Sequence, residues 1–225
     1  MELDFLLDFL RRLAANNNTP WMAAHRADYQ RARLACTELV RRVLAGAAAT
    51  DPDLAALTPA DVLFRLHKND RSQRDPEPYK RRMGAGLKLG GRHAPRAGYF
   101  LAIQPEGRSW LGAGTFHPTP ELLAAIRQEI HYNGAAFHRL RQAPELLRYF
   151  PAGLDTTGPQ LSRPPRGYPA ADPDVAWLRL KTFGVGRFYS DAEVLAPEFA
   201  PQVVAAIAAA RPLVDFFNDA LPNGE

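Results

Sequence analysis

Apolar positions recur at spacings of three and four from the start of the chain. Leu3, Leu6, Phe9, Leu10 and Leu13 fall on one face of a helix predicted over residues 2–15. Asn16-Asn17-Asn18 stops it, because asparagine tolerates a left-handed turn and bonds to nearby backbone. Thr19-Pro20 restarts a helix, with threonine as N-cap and proline at the first helical position. This second helix is predicted to run to about Ala45, with Gly46 as its stop. Trp21, His25, Ala32 and Ala35 share one of its faces, with Tyr29 nearby, so the two helices form an αα-hairpin.

At Val62 the period changes from about 3.6 to 2. Phe64 and Leu66 alternate with Arg65 and His67, which predicts a strand over residues 62–67. Asp75-Pro76-Glu77-Pro78 cannot continue it, since proline removes a ladder donor. The glycine-rich residues beyond read as a cationic loop. Tyr99–Gln104 and Ser109–Phe116 predict a hairpin across Pro105-Glu106-Gly107-Arg108. Thr119-Pro120 opens another helix, striped by Leu122, Leu123, Ile126 and Ile130, and a broken helical region follows to Phe150. Residues 151–174 hold six prolines and read as an irregular loop. A last strand is expected over 183–189, then a helix from Gln202 to Leu221 bent at Pro212. All four strands are expected in one sheet.

The resulting fold class is α+β: a mainly antiparallel sheet with an N-terminal helical hairpin and C-terminal helices packed on it. One domain, 1–225, is expected to contain the hairpin at 1–46, strands and a basic loop at 58–118, and helices at 119–150. The irregular loop at 151–174 and a strand and helix at 175–225 complete it.

Composition changes this picture little. The chain has 225 residues, 46% hydrophobic and 23% charged, in the range of ordinary globular domains. No run of 18 apolar residues exists, so no membrane association is expected. The opening Met-Glu-Leu-Asp is acidic where a signal peptide would be basic, and Cys36 stands alone. Together these predict a cytoplasmic protein. Charge is more informative. Residues 64–96 hold seven arginines and three lysines against Asp70, Asp75 and Glu77, a balance of +7, while the whole chain is only +4. The remainder is therefore acidic by three charges.

The spacing of several motifs resembles the bacterial family called domain of unknown function 2461. A Phe-Leu-x-x-Leu helix and an asparagine pair precede Trp21, Arg26 and Tyr29. Arg65, Lys68, Arg71, Asp75, Pro78, Tyr79 and Lys80 match its central motif without a gap. Gly98-Tyr99-Phe100, Gly112-Ala113-Gly114 and Pro118 resemble its strand and glycine signatures. Leu161, Arg163-Pro164-Pro165 and Gly167 resemble its loop signature, followed by Leu178, Lys181 and Phe183. Asn69, Ser72 and Pro76 depart from the pattern, where aspartate, phenylalanine and lysine are usual. The resemblance implies the fold and points to the same segment; it names no activity.

The candidate ligand-binding set is Arg65, Lys68, Arg71, Tyr79 and Lys80, with Arg163 and Lys181 as a second wall. Arginine's planar fork suits phosphate or carboxylate, lysine adds a point charge, and tyrosine can donate or stack. The leading expectation is a protein that binds a small anionic ligand. An enzyme acting on a phosphorylated or carboxylated substrate is the alternative, with Asp70, Asp75 or Glu77 as general base. Binding of nucleic acid through its phosphates stands as a third reading. No cofactor is expected. The Gly-x-Gly pairs lack the third glycine of a dinucleotide fingerprint, which reads as tight sheet geometry. The six histidines show no metal spacing, and no carboxylate pair or thiol joins His131 and His138 in sequence. His25 reads as a packed histidine and Cys36 as a core residue. Oligomeric state has no signature in the chain.

Overall fold

A computed structural model describes residues 2–68 and 77–221. Helix α1 (Leu3–Ala15) buries Leu3, Leu6, Phe9, Leu10 and Leu13, the stripe its spacing predicts, and Leu7 beside it. Asn18, rather than Thr19, caps α2 (Thr19–Ala24): its side chain accepts from the Trp21 N–H at 2.9 Å. Thr19 and Pro20 are the first two helical residues. The long second helix is interrupted at His25 (φ −109°, ψ 27°), and α3 (Arg26–Ala47) continues from there. The His25 ring stacks on Trp21 at 4.1 Å while its Nδ1 bonds to the Trp21 carbonyl at 2.8 Å. A short helix, α4 (Pro59–Val62), begins in a capping box between Thr58 and Asp61.

The sheet contains β1 (Met83–Leu87), β2 (Gly98–Ile103) and β3 (Ser109–Thr115), then β4 (Phe183–Tyr189) after three intervening helices. These helices are α5 (Pro120–Arg141), α6 (Pro144–Tyr149) and α7 (Val175–Leu178). The strands are antiparallel in the order β1-β2-β3-β4. The β2–β3 hairpin turns at Glu106 and Gly107, both with positive φ (66° and 69°), the geometry that matches strand twist. Gly114, at φ 123°, lies so close to the Phe183 carbonyl that no side chain fits there.

Two expectations for the sheet change. The strand expected over 62–67 is absent: Val62 ends α4, and the residues after it form only isolated antiparallel bridges, Leu63 with Ala85 and His67 with Tyr79. Four steps on one side face six on the other, so the ladder cannot be continuous. The edge strand is instead β1, in the stretch read as a glycine-rich loop. All five of its residues are buried, which removes the alternation that marks a half-exposed strand.

The chain divides into two compact units. The first holds the described residues up to Arg92, Phe100–Leu111 and Phe188–Val204. Within it α1 packs on α3, and Tyr189 meets Phe199 edge-on at 5.3 Å. Helix α8 (Asp191–Leu195) follows β4 through a capping box between Ser190 and Glu193. The second unit holds His93–Tyr99, Gly112–Arg187 and the described residues from Ala205. Its core includes Phe137, Phe150, Phe183 and Phe217, all fully buried, with Phe183 and Phe217 5.7 Å apart. The last helix, α9 (Phe199–Asp219), is long and apolar enough by composition to cross a bilayer. Half of its most apolar window is buried in the fold, and Val203, Ala206, Ile207, Ala210 and Leu213 are core residues.

Candidate functional site

The pairing of residues 63–68 with 78–85 arranges the cationic segment in the first unit. Around the His67–Tyr79 bridge, Lys68 N–H donates to the Pro78 carbonyl (2.8 Å) and Lys80 N–H to the Leu66 carbonyl (2.9 Å). His67 and Tyr79 therefore form a close, non-hydrogen-bonded pair, their rings edge to face at 5.3 Å. Lys80 lies across from Leu66. Its Nζ donates to the Arg65 carbonyl at 2.8 Å and stands 5.6 Å from the Phe64 ring centre. Arg82 stands 5.9 Å from the ring of Phe100. Phe64, Phe100 and Trp110 form a row at 5.8 and 5.9 Å, and all three are half-buried.

The charges divide into a paired group and a concentrated one. Glu77 is an ion-pair hub: Arg81 donates to both its oxygens, Lys68 stands at 3.7 Å, and Asn17 Nδ2 donates at 3.1 Å. A carboxylate so engaged is a poor general base. Arg92 donates to the carbonyls of Ala60 and Asp61. Lys80 differs. Burial, and then the charges of Arg82 and Arg65, hold its ammonium below the ordinary lysine value. No carboxylate partners it among the described residues.

Of the residues singled out from sequence, Arg65 and Lys80 are neighbours here, with Arg65 exposed as the alternation requires. Tyr79 is buried against His67, and Lys68 is tied to Glu77. Arg71 lies outside the described residues, as do Asn69, Asp70, Ser72, Asp75 and Pro76. Arg163 and Lys181 are exposed members of the second unit. Arg82 joins the cluster unannounced, because alternation beyond the two prolines gave no register for it.

The second unit contains a polar cluster that sequence reasoning missed. Helix α5 is kinked at Asn133 (φ −119°, ψ 33°), between two histidines seven residues apart. His131 Nδ1 bonds Asp172 Oδ2 at 2.5 Å, and His138 Nε2 bonds Asp174 Oδ1 at 2.5 Å. Both aspartates are buried, and the Asp174 N–H donates to Asp172 Oδ1 at 2.7 Å. Arg141 Nε donates to His138 Nδ1 at 2.9 Å, its guanidinium 4.3 Å from the Trp177 ring. Among the described residues these side chains form two pairs and not one metal-holding group. The aspartates lie 41 and 36 residues from their histidines, so no local motif carries them. The available signal was Asp172-Pro173-Asp174 in a proline-rich loop opposite a helix with histidines two turns apart.

An α+β protein with a four-stranded antiparallel sheet, a cation-rich patch over a row of aromatic rings and a pair of Asp–His contacts is the class this chain defines. Over residues 6–216 it matches the family described as "Conserved hypothetical protein (DUF2461)", and it belongs to that family. Neither a curated protein nor a solved structure matches it.

Proposed function

We propose that the first unit binds a small anionic ligand, phosphate- or carboxylate-bearing, at the patch formed by Arg65, Lys80 and Arg82. The carrying observation is Lys80: a half-buried ammonium over the Phe64 ring, under the like charges of Arg82 and Arg65 and without a carboxylate partner among the described residues. Like charges so placed repel, and an anion between them turns that repulsion into attraction. The half-buried row Phe64, Phe100 and Trp110 beside the cations offers a face on which a planar group stacks, so a nucleotide fits this reading. Arg71, from the same cationic segment, belongs to the proposed set by sequence. A cytoplasmic setting accords with it, since the single thiol, Cys36, is buried and has no partner cysteine in the chain.

A thermal-shift panel of inorganic phosphate, pyrophosphate, AMP and dicarboxylates tests the proposal, each against chloride at matched ionic strength. A ligand at one hundred times its dissociation constant stabilises the folded chain by about 2.7 kcal/mol. Lys80→Ala and Arg82→Ala should each weaken the response at least tenfold while leaving the unliganded chain folded. If no anion raises the midpoint beyond the chloride control, the patch is a solvated cationic surface and the proposal fails.

A further inference from the structure

We infer that the second unit carries an independent oxyanion site, in which Arg127 holds the phosphate or carboxylate group of a small substrate and His131 exchanges a proton with it. The two histidines of the kinked helix are not equivalent. Arg141 Nε donates to His138 Nδ1, so that nitrogen carries no proton, and Nε2–H donates to Asp174. Both ring nitrogens of His138 are therefore engaged, and protonating it would sacrifice the Arg141 bond. His131 is held by one nitrogen only. Its Nδ1–H donates to Asp172, whose other oxygen is fixed by the Asp174 N–H. This leaves the lone pair of Nε2 on a side chain one-third exposed, with no bond among the described residues. A buried carboxylate that fixes Nδ1–H presents Nε2 as a base and stabilises the imidazolium once formed.

Arg127 supplies the anion partner. It sits four residues before His131, hence one turn away on the same helix face. It is half-buried, and its Nε and Nη2 donate to the carbonyls of Leu178 (2.8 Å) and Leu180 (3.0 Å). Those neutral acceptors orient the guanidinium without neutralising it, and Nη1 has no partner among the described residues. Tyr168 flanks His131, its ring meeting the imidazole edge-on at 5.3 Å; burial raises the pKa of its hydroxyl and the Arg127 charge opposes that rise. Tyr132 flanks His131 on the other side, ring centres 5.0 Å apart, and is largely exposed. Among the described residues, Asp172, Tyr168 and Tyr132 contact His131, and Arg127 lies one helical turn away. In the transfer, the Nε2 lone pair takes a proton from a bound hydroxyl, acid or activated water. The imidazolium shares its two N–H groups between that oxygen and Asp172, then returns the proton to the product oxygen. His131 is the proton-transfer residue and Asp172 its positioning residue.

Long-range proton–nitrogen NMR of the full chain reads this directly, with inorganic phosphate and acetate as the probes. In the free protein His131 should show a protonated Nδ1 and a bare Nε2, and His138 the opposite tautomer. Phosphate, acetate or both should drive His131 Nε2 toward its protonated shift at a pH where the free residue is neutral, leaving His138 unmoved. Arg127→Gln keeps donors for the two carbonyls but removes the charge, and should weaken that response at least tenfold. Asp172→Asn should scramble the His131 tautomer while the backbone amide spectrum stays folded. Lys80→Ala should change nothing here, which separates this site from the one in the first unit. The inference is overturned if neither probe moves His131 Nε2 beyond the effect of matched chloride. It also fails if Arg127→Gln leaves the response intact, or if Asp172→Asn leaves the tautomer unchanged.

Discussion

Gly134 leaves room for the carboxylate of Asp174: a methyl group on the glycine would collide with Asp174 Oδ2. Glycine in mid-helix costs about 1 kcal/mol against alanine, so the chain gives up helix stability at this point. What it gains is a buried aspartate drawn against the kinked turn of α5 and bonded to His138. Gly134→Ala should therefore destabilise the chain by about 1–3 kcal/mol, the range for overpacking a tight site. In an Asp174→Ala background the same change should become neutral or stabilising, by up to about 1 kcal/mol. Chemical denaturation of the four chains in this cycle supplies the check. Equal effects in both backgrounds would show that the two residues are uncoupled.

Asp191 holds the tip of the β2–β3 hairpin. Its two oxygens accept from the N–H groups of Glu106 (3.1 Å) and Gly107 (3.0 Å), and Arg11 of α1 pairs with it. Burial by itself would raise its carboxyl, but the Gly107 and Glu106 N–H groups and Arg11 outweigh that and hold it below the usual aspartate value. A carboxylate depressed in the folded chain stabilises most above the unfolded value of about 3.9, and that stability disappears as pH falls through the lower folded value. Asp191→Asn should cost about 1–2 kcal/mol near neutrality. The gap between variant and wild type should stay level down to about pH 4 and then close in acid. Denaturation midpoints across pH test both parts, and a gap that widens in acid would contradict them.

The helices and the hairpin were readable because their signals are local. Leu3 to Leu13 carry a stripe at helical spacing, and Glu106-Gly107 supplies the positive φ that a tight turn needs. The strand at Met83–Leu87 was not readable, because a strand covered on both faces loses its alternation, and glycines at 84 and 86 read as loop. The extended pairing of residues 63–68 was legible as alternation, but its interruption depends on a partner strand with two extra residues. Arg65 and Lys80 were found by charge density and His131 was not. Its carboxylate, Asp172, arrives from a loop 41 residues away, beyond the reach of any local pattern.

Cys36 is enclosed in α3 and its thiol is pushed up to about 12 by burial, against a smaller opposing effect of Arg33. Since the thiolate is the reactive form, the native chain should label with a disulfide reagent only through unfolding. The labelling rate should then rise with denaturant in step with the unfolded population. Prompt stoichiometric labelling at neutral pH without denaturant would show that the thiol is accessible in the native fold.

Asn17 serves more than the turn its sequence neighbourhood suggests. Its Nδ2 donates to the Tyr79 carbonyl (2.9 Å) and to Glu77 Oε2 (3.1 Å), while its Oδ1 accepts from the Tyr79 N–H (3.1 Å). One amide thus satisfies both backbone groups of Tyr79 and helps fix the carboxylate that pairs with Lys68 and Arg81. Asn17→Ala removes all three bonds and should cost about 2 kcal/mol, or roughly 4–8 °C in Tm for a chain of this length. Asn17→Asp separates the two roles, because aspartate suits such a turn nearly as well as asparagine. It keeps the acceptor for Tyr79 N–H but replaces the donor with an oxygen facing the Tyr79 carbonyl and Glu77. The aspartate variant should therefore lose at least as much stability as the alanine one. Near-wild-type stability for Asn17→Asp would mean that the turn, and not the link to Tyr79 and Glu77, is what this position supplies.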